Sequence, residues 1–235
     1  MHTRYILPRL LRTSFPLILL IILLAACGGG NNNTPDAHQL LSAAKTAIQK
    51  VTAYHFNLKV DNPSTNGTLP IKSADGDIVV PDKLKANATA LLLGSVVQVQ
   101  IIAIGRQQYV TNPLTGTWIP TTGLLDPRTL SDPQQGVAAI LDHIQNPTTP
   151  KDDSVDGIPC WSIDGTLSAT NLAGITGGGA PAGATDAITT CIGKSDNLPY
   201  LIRITGIAAA GDTSKTVRTF KLSKFGETLT ITAPV

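Results

Sequence analysis

The stretch Leu84-Lys85-Ala86-Asn87-Ala88-Thr89-Ala90-Leu91-Leu92-Leu93 decides the fold. The apolar positions 84, 86, 88, 90 and 92 alternate with 85, 87, 89, 91 and 93. A period of two marks a strand whose two faces meet different surroundings. Gly94-Ser95 breaks the run. Val97, Val99 and Ile101 then alternate with Gln98, Gln100 and Ile102 as far as Gly105, and Tyr109-Val110 starts another run. Residues 68–110 therefore read as successive strands, with Ala74-Asp75-Gly76-Asp77 and Pro81-Asp82 as turns. The face carrying Ala86, Ala88 and Ala90 is apolar but small. Small side chains leave volume beneath whatever covers them.

Upstream, Tyr54, Phe56 and Leu58 alternate with His55, Asn57 and Lys59 and predict the first strand. A helix precedes it. Thr34-Pro35-Asp36 supplies a capping side chain, an early Pro and an acid. Leu40, Leu41, Ala44, Ala47, Ile48 and Val51 follow at helical spacing, and the helix is expected to end near Thr52. Downstream, 112–116 is a turn, Trp118-Ile119 closes the sheet stretch, and 120–130 reads as irregular. Asp132-Pro133-Gln134-Gln135 is a helix entrance, followed by Val137, Ile140, Leu141 and Ile144 at i, i+3, i+4 and i+7. Asn146-Pro147 stops that helix. Residues 148–156 form a polar linker, 158–164 a strand, 168–175 a short helix and 176–185 a Gly-rich loop. Two hairpins complete the chain: 187–192 with 200–207, and 216–224 with 228–233. The pattern is α+β: one large antiparallel sheet with a helix before it and another inserted midway, in a single domain over 36–235.

The N-terminus reads as a targeting segment. Arg4, Arg9 and Arg12 precede an apolar run over 15–26 that ends in Leu24-Ala25-Ala26-Cys27. A basic start, a short apolar run and small residues before the cut describe a secretory signal over 1–26. The run is short of the ~20 residues needed to span a bilayer. Cys27 directly after Leu-Ala-Ala resembles the bacterial lipobox, which implies a diacylated Cys27 at the start of the mature protein, exported and held on the outer face of the cell membrane. Residues 27–35 are then a lipidated tether, Gly/Asn-rich at 28–33. The whole chain has 18 basic and 16 acidic side chains; removing three Arg and no acid takes its net charge from +2 to −1. That balance, with no Lys/Arg cluster, excludes a nucleic-acid partner. Of the three cysteines, Cys160 and Cys191 remain. Oxidising surroundings and an even remainder predict a disulfide, with two buried thiols as the alternative.

Catalytic chemistry has no anchor in the sequence. His38, His55 and His143 lack motif-spaced partners, and no nucleophile elbow, zinc-protease helix or phosphate-binding loop occurs. Gly177-Gly178-Gly179 lacks the strand-to-helix setting and the Lys of a phosphate cradle. Asp152, Asp153 and Asp156 lack the ligand alternation of a calcium loop. The expectation is a protein that is not an enzyme and needs neither metal nor cofactor.

Taken in order, these features resemble the LppX/LprG family of mycobacterial envelope lipoproteins. The features are Cys27, the helix leading to Tyr54-His55-Phe56, Gly76 before Pro81-Asp82, the Ala/Leu strand with Gly94, Tyr109 then Trp118, Asp132-Pro133 with Gly136, Asp156-Gly157, Gly165, and the late hairpins ending in Ala233-Pro234. The resemblance implies a curved antiparallel half-barrel, backed by helices, around an apolar cavity. It also implies binding, and transport across the envelope, of acylated lipids or glycolipids, with a membrane transporter as a further partner. The volume beneath the small-residue face is then expected to hold a lipid tail. The candidate lining is Ala86, Ala88, Ala90, Leu92, Val97, Val99 and Ile101 from strands, closed by Val137, Ile140, Leu141 and Ile144 from the midway helix. An ordinary filled core shares that periodicity. A ligand-free structural envelope module and a lipoprotein that binds or senses a polar solute stay open beside the carrier. The Cys160/Cys191 pair and the Gly-rich loop depart from the family pattern.

Overall fold

A single antiparallel sheet organises the chain, and its strand order follows from the way short connections join neighbours. In this computed structural model, residues 1–2, 34–64, 70–92, 94–123 and 126–234 are described. The chain divides into Met1–Asn33 and Thr34–Val235. The signal, Cys27 and residues 28–33 of the expected tether thus lie outside the described residues, Met1 and His2 excepted. Thr34–Val235 contains its own core: every buried apolar side chain of the main cluster falls between Ala37 and Leu222.

The strands are β1 (Ala53–Asp61), β2 (Ile71–Val79), β3 (Lys83–Leu92), β4 (Ser95–Ile104), β5 (Gln107–Thr111), β6 (Trp118–Thr121), β7 (Lys151–Val155), β8 (Ile158–Ser168), β9 (Thr185–Gly193), β10 (Pro199–Thr205) and β11 (Val217–Ser223). Their spatial order is β6-β5-β4-β3-β2-β1-β11-β10-β9-β8-β7. Every neighbour is a sequence neighbour except the central pair, where β1 meets β11 with His55 opposite Ser223 and Asp61 opposite Val217. The sheet stays open, with β6 and β7 as its edges. This is the half-barrel expected from the sequence, a sheet backed by few helices.

Among the described residues four α-helices cover one face, the inner face. α1 (Ala37–Ile48) buries Leu40, Leu41, Ala44 and Ile48. Its N-cap is Asp36, whose carboxylate accepts from the Gln39 N–H at 2.9 Å. α2 (Pro127–Ser131) and α3 (Val137–Asp142) lie in the long connection between the two edge strands, and α4 (Ala173–Thr176) continues a 3-10 turn at Ala169–Leu172. Side chains of α1 and α3 pack in one core with Tyr54, Phe56, Leu84, Ile163, Ile188 and Ile202. The outer face is polar, as antiparallel sheets allow. Asn57, Asp75, Asn87 and Gln100 face one another across β1–β4.

Several local expectations are overturned. Ala74-Asp75-Gly76-Asp77 is not a turn but the middle of β2. Its Gly and Asp residues serve the strand: Asp75 and Asp77 both contact His55 on the outer face, at 3.2 and 2.8 Å. The 120–130 segment is only partly irregular, because Asp126 caps α2 and Pro127 opens it. Asp132 starts a separate turn, accepting from the Gln134 N–H at 2.7 Å. The helix begins later, at Val137, with Gly136 as its cap, and ends before Ile144. The 148–156 linker contains the edge strand β7. Residues 228–233 pair with nothing as a strand, since β11 has β1 on one side and β10 on the other.

Candidate functional site

Apolar space under the helices is the candidate site. A cavity of about 120 Å³ lies between the sheet and the helical layer. Its floor comes from the inner face of β1–β4, β10 and β11. Tyr54, Phe56, Leu58, Ile78, Leu84, Ile202, Phe220 and Leu222 supply bulk there. Four small residues open the space. Ala74 is directly opposite Ala88, and Gly76 opposite Ala86. The glycine is required. A Cβ at Gly76 would fall 2.3 Å from the Lys85 carbonyl oxygen and 2.6 Å from the Ala86 Cβ. The roof is Leu130 of α2, Val137 and Ile140 of α3, and Ile175 of α4. Apart from the Tyr54 hydroxyl, every wall side chain is pure hydrocarbon. Burial raises the Tyr54 pKa above the ordinary phenol value, so that hydroxyl stays neutral.

Tyr54 also marks one end of the cavity. Its ring is 6.4 Å from that of Phe225, which meets Tyr200 edge-on at 5.3 Å. The Tyr200 hydroxyl donates to Asp196 at 2.7 Å, and burial together with that bond pushes its pKa up to about 12. The other end, at Ile71, Phe220 and Ala88, lies toward the connections after β1 and β10.

Two larger hollows have the wrong chemistry for hydrocarbon. One, about 1030 Å³, is open to solvent between the polar side of α1 (His38, Ser42, Thr46, Lys50) and the 196–198 turn. The other, about 540 Å³, lies over Asn57, Asp75, Gln98 and Gln100 on the outer face. Size would select these; wall composition selects the inner cavity. Among the described residues no group of His, Cys, Asp and Glu is arranged to hold a metal. Asp152 pairs with Lys194, and Asp156 with Lys221 at 2.7 Å. No helix of the described residues is long and apolar enough to cross a membrane.

Comparison with known proteins agrees with this architecture. A profile of the family described as LppX_LprAFG lipoprotein matches residues 36–231. The chain belongs to the LppX_LprAFG family. Lipoprotein LprA of Mycobacterium tuberculosis is 27% identical over 206 residues, covering 85% of this chain and 82% of LprA. The lipoarabinomannan carrier protein LprG of Mycobacteroides abscessus is 26% identical over 147 residues, 61% of this chain and 63% of LprG. Two crystal structures share the fold. LprF of Mycobacterium bovis superposes with a TM-score of 0.68 at 22% identity, covering 86% of this chain and 99% of LprF. LppX of Mycobacterium tuberculosis gives 0.60 at 19% identity, covering 83% and 98%.

Within this LppX_LprAFG fold the sequence-derived lining separates into two groups. Ala86, Ala88, Ile101, Val137 and Ile140 stand in the cavity wall. Ala90 is fully buried opposite Val97, beyond the wall. Val99 is buried beside Ala88, and Leu92 is 37% exposed near the β3–β4 turn. Leu141 and Ile144 are core residues, and Ile144 packs over Gly165. Ala74, Ile78 and the aromatic residues of β1 and β11 are wall residues that the sequence reading left out, and Gly76 stands between Ala74 and Ile78 on the same face. Their signal was present: Ala74, Gly76 and Ile78 alternate with Ser73, Asp75 and Asp77. Cys160 and Cys191 are disulfide-bonded, with Cα atoms 5.6 Å apart, on the outer face of β8 and β9. Cys27 lies outside the described residues.

Proposed function

We propose that this protein is an exported lipoprotein, anchored through acylated Cys27, that binds one acylated lipid or glycolipid between its sheet and helical layer and passes it on within the envelope. The supporting observation is the cavity wall: hydrocarbon apart from the Tyr54 hydroxyl, over a floor opened by the Ala74–Ala88 and Gly76–Ala86 pairs. An acyl chain of ~16 carbons exposed to water costs on the order of 10 kcal/mol. A lipid in a bilayer has already escaped that cost. A carrier must therefore offer an interior as apolar as the membrane, and a wall of hydrocarbon apart from the Tyr54 hydroxyl supports that reading.

At about 120 Å³ the cavity is smaller than the ~300–1,000 Å³ typical of pockets that enclose a small molecule. On this reading an acyl chain enters only if the roof lifts. The roof suits that movement. α2, α3 and α4 have five, six and four residues. Helices under ~12 residues have little stability of their own, so their position depends on packing. A membrane transporter is the fitting partner to fill or empty the site.

The deciding experiment is native mass spectrometry with lipid extraction on protein made without Cys27, so that the anchor's own chains are not counted as cargo. The expected result is one acylated lipid per chain. A folded protein that never carries lipid, even after incubation with envelope lipid extract, refutes the proposal.

A further inference from the structure

We infer that the outer face of the sheet carries a second binding site, which takes a neutral polysaccharide chain free of lipid. The site is the hollow of about 540 Å³ over β1–β5. That volume falls within the ~300–1,000 Å³ typical of pockets that enclose a small molecule. Its floor is a row of side chains facing one another from strand to strand: Asn57 opposite Asp75, Asp75 opposite Asn87, and Asn87 opposite Gln100. Gln100 adjoins Thr111, whose hydroxyl accepts from the Gln100 N–H at 2.8 Å, and Thr111 stands opposite Trp118. At ~4.8 Å per strand, the row from Asn57 to Trp118 is about 24 Å long. Ser73, Thr89 and Gln98 form a second row beside it. The β5–β6 connection walls one side. Asn112 braces that wall: its side-chain oxygen accepts from the Leu114 and Thr115 N–H groups at 2.9 and 3.3 Å, and its own N–H donates to the Thr117 carbonyl at 2.8 Å.

Asn87 carries the inference. Asn is disfavoured in strands, and this one sits in the middle of β3. Asn57 and Asp75 are no better strand formers, but they return something to the fold: Asn57 donates to Asp75 at 3.2 Å, and Asp75 meets His55 at 3.2 Å. Asn87 returns nothing. Among the described residues its side chain makes no hydrogen bond, nor do those of Gln98 and Gln100, and all three are exposed. A residue held against its local preference without structural gain is the mark of a functional position. Three unspent carboxamides in one hollow set donors beside acceptors. A sugar hydroxyl is both at once, so a polyhydroxylated chain matches them group for group.

Charge selects a neutral chain. Asp75 is the charged side chain of the lining, and the charges at its borders are paired: Lys59 with Asp61 at 2.9 Å, Lys221 with Asp156 at 2.7 Å, and Asp77 with His55 at 2.8 Å. Lys85 stands one row further off, opposite Asp77. Trp118 supplies an apolar surface at the end of the row. Ile119 pairs with Val110, and Val110 with the cavity-wall residue Ile101, so alternation puts Trp118 on the outer face, where it is half-buried. An indole there can stack on the C–H groups of a sugar ring while its N–H stays wet. The lipid-free condition follows from the sheet. The acyl cavity lies beneath the inner face and the hollow over the outer one, with the paired strands β1–β4 between them. A lipid with its tail in the cavity does not reach the hollow with its head group. The inference therefore goes beyond the carrier reading and does not rest on it.

The test is native electrophoresis of the protein made without Cys27 through gels containing amylose, mannan, galactan or arabinan, with polygalacturonate as an anionic control. At least one neutral polymer should retard the protein, independently of salt and equally before and after delipidation. Asn87→Ala with Gln100→Ala should weaken that retardation by roughly tenfold or more, since two hydrogen-bonding groups are lost. Both side chains are exposed, so the double variant should melt with the parent. No retardation by any neutral polymer overturns the inference, as does retardation by polygalacturonate alone, or a double variant that is retarded like the parent. Retardation only of lipid-loaded protein assigns the sugar contact to a cargo head group and also overturns it. Native mass spectrometry separates this site from the carrier reading. A protein that keeps lipid but is never retarded loses the polysaccharide site alone; one that is retarded but never holds lipid loses the carrier reading alone.

Discussion

Ala88→Leu should make the unloaded protein more stable and less able to hold lipid. Ala88 lies in the cavity floor opposite Ala74. An empty space of about 120 Å³ destabilises the fold by about 3 kcal/mol, at ~24 cal/mol per Å³. Leu adds three carbon atoms, worth about 2.4 kcal/mol at ~0.8 kcal/mol each when buried. Fixing the side chain takes back ~0.5–1 kcal/mol of rotamer entropy. A net gain of about 1.5 kcal/mol remains, which moves a urea midpoint up by roughly 0.5–1 M. The companion Ala90→Leu should do the opposite. Ala90 is fully buried but outside the cavity wall, so the added atoms overpack it by about 1–3 kcal/mol. Urea unfolding of delipidated protein gives the stability, and native mass spectrometry gives the occupancy. If Ala88→Leu is destabilised as much as Ala90→Leu, or if it keeps parental lipid occupancy, the cavity is not where the cargo binds.

Other outcomes can be checked alongside. Gly76→Ala should push β2 from β3, because its Cβ would meet the Lys85 carbonyl at 2.3 Å; a loss of about 1–3 kcal/mol is expected in the same urea titration. Replacing Cys160 and Cys191 by Ala together removes a crosslink across a separation of 31 residues, which chain entropy puts at about 3–4 kcal/mol; a thermal scan should show the drop, and the cavity, on the other side of the sheet, should keep the lipid proposed for it. Asp186 is buried with neither carboxylate oxygen in hydrogen-bond geometry, and burial raises its pKa, opposed by the Ile207 N–H and reinforced by Asp212. The native state thus holds this proton more tightly than the unfolded chain does: the stabilisation is full below the unfolded value of ~4 and is lost as pH rises through the elevated native value. Asp186→Asn should therefore raise the melting temperature at pH 7, with the advantage fading below about pH 4; a pH-independent difference would contradict that.

Strands with clean alternation were readable from the chain, and their faces followed directly. Leu84 to Leu92 and Val97 to Ile101 occupy the faces that their period assigns. Resemblance in the order of features supplied the half-barrel, which periodicity alone does not specify. Where the reading failed, turn-forming residues had been placed for other reasons. Gly76 sits mid-strand because two backbones approach closely there, and Asp75 and Asp77 because His55 binds them across the outer face. That error hid Ala74 and Ile78 of the cavity floor. The helix around Val137 was overextended because the Asp132 turn imitates a cap, although Gly136 already packs hard against the Leu130 carbonyl. The roof residues Leu130 and Ile175 come from helices too short to show a period, and only tertiary packing brings them over Ala86 and Ala88.

The seam where β1 lies against β11 fixes a sequence of events during synthesis. Each half of the sheet is a run of hairpins that can form as it emerges, but His55 must wait for Ser223. For most of translation β1 therefore presents a bare backbone ladder, the kind of surface that recruits strands from other molecules. His55, Lys59 and Asp61 along that strand are the charged or ionisable side chains that discourage such strangers until the last strand arrives. Truncations that delete β11 should thus yield aggregates rather than a soluble smaller sheet.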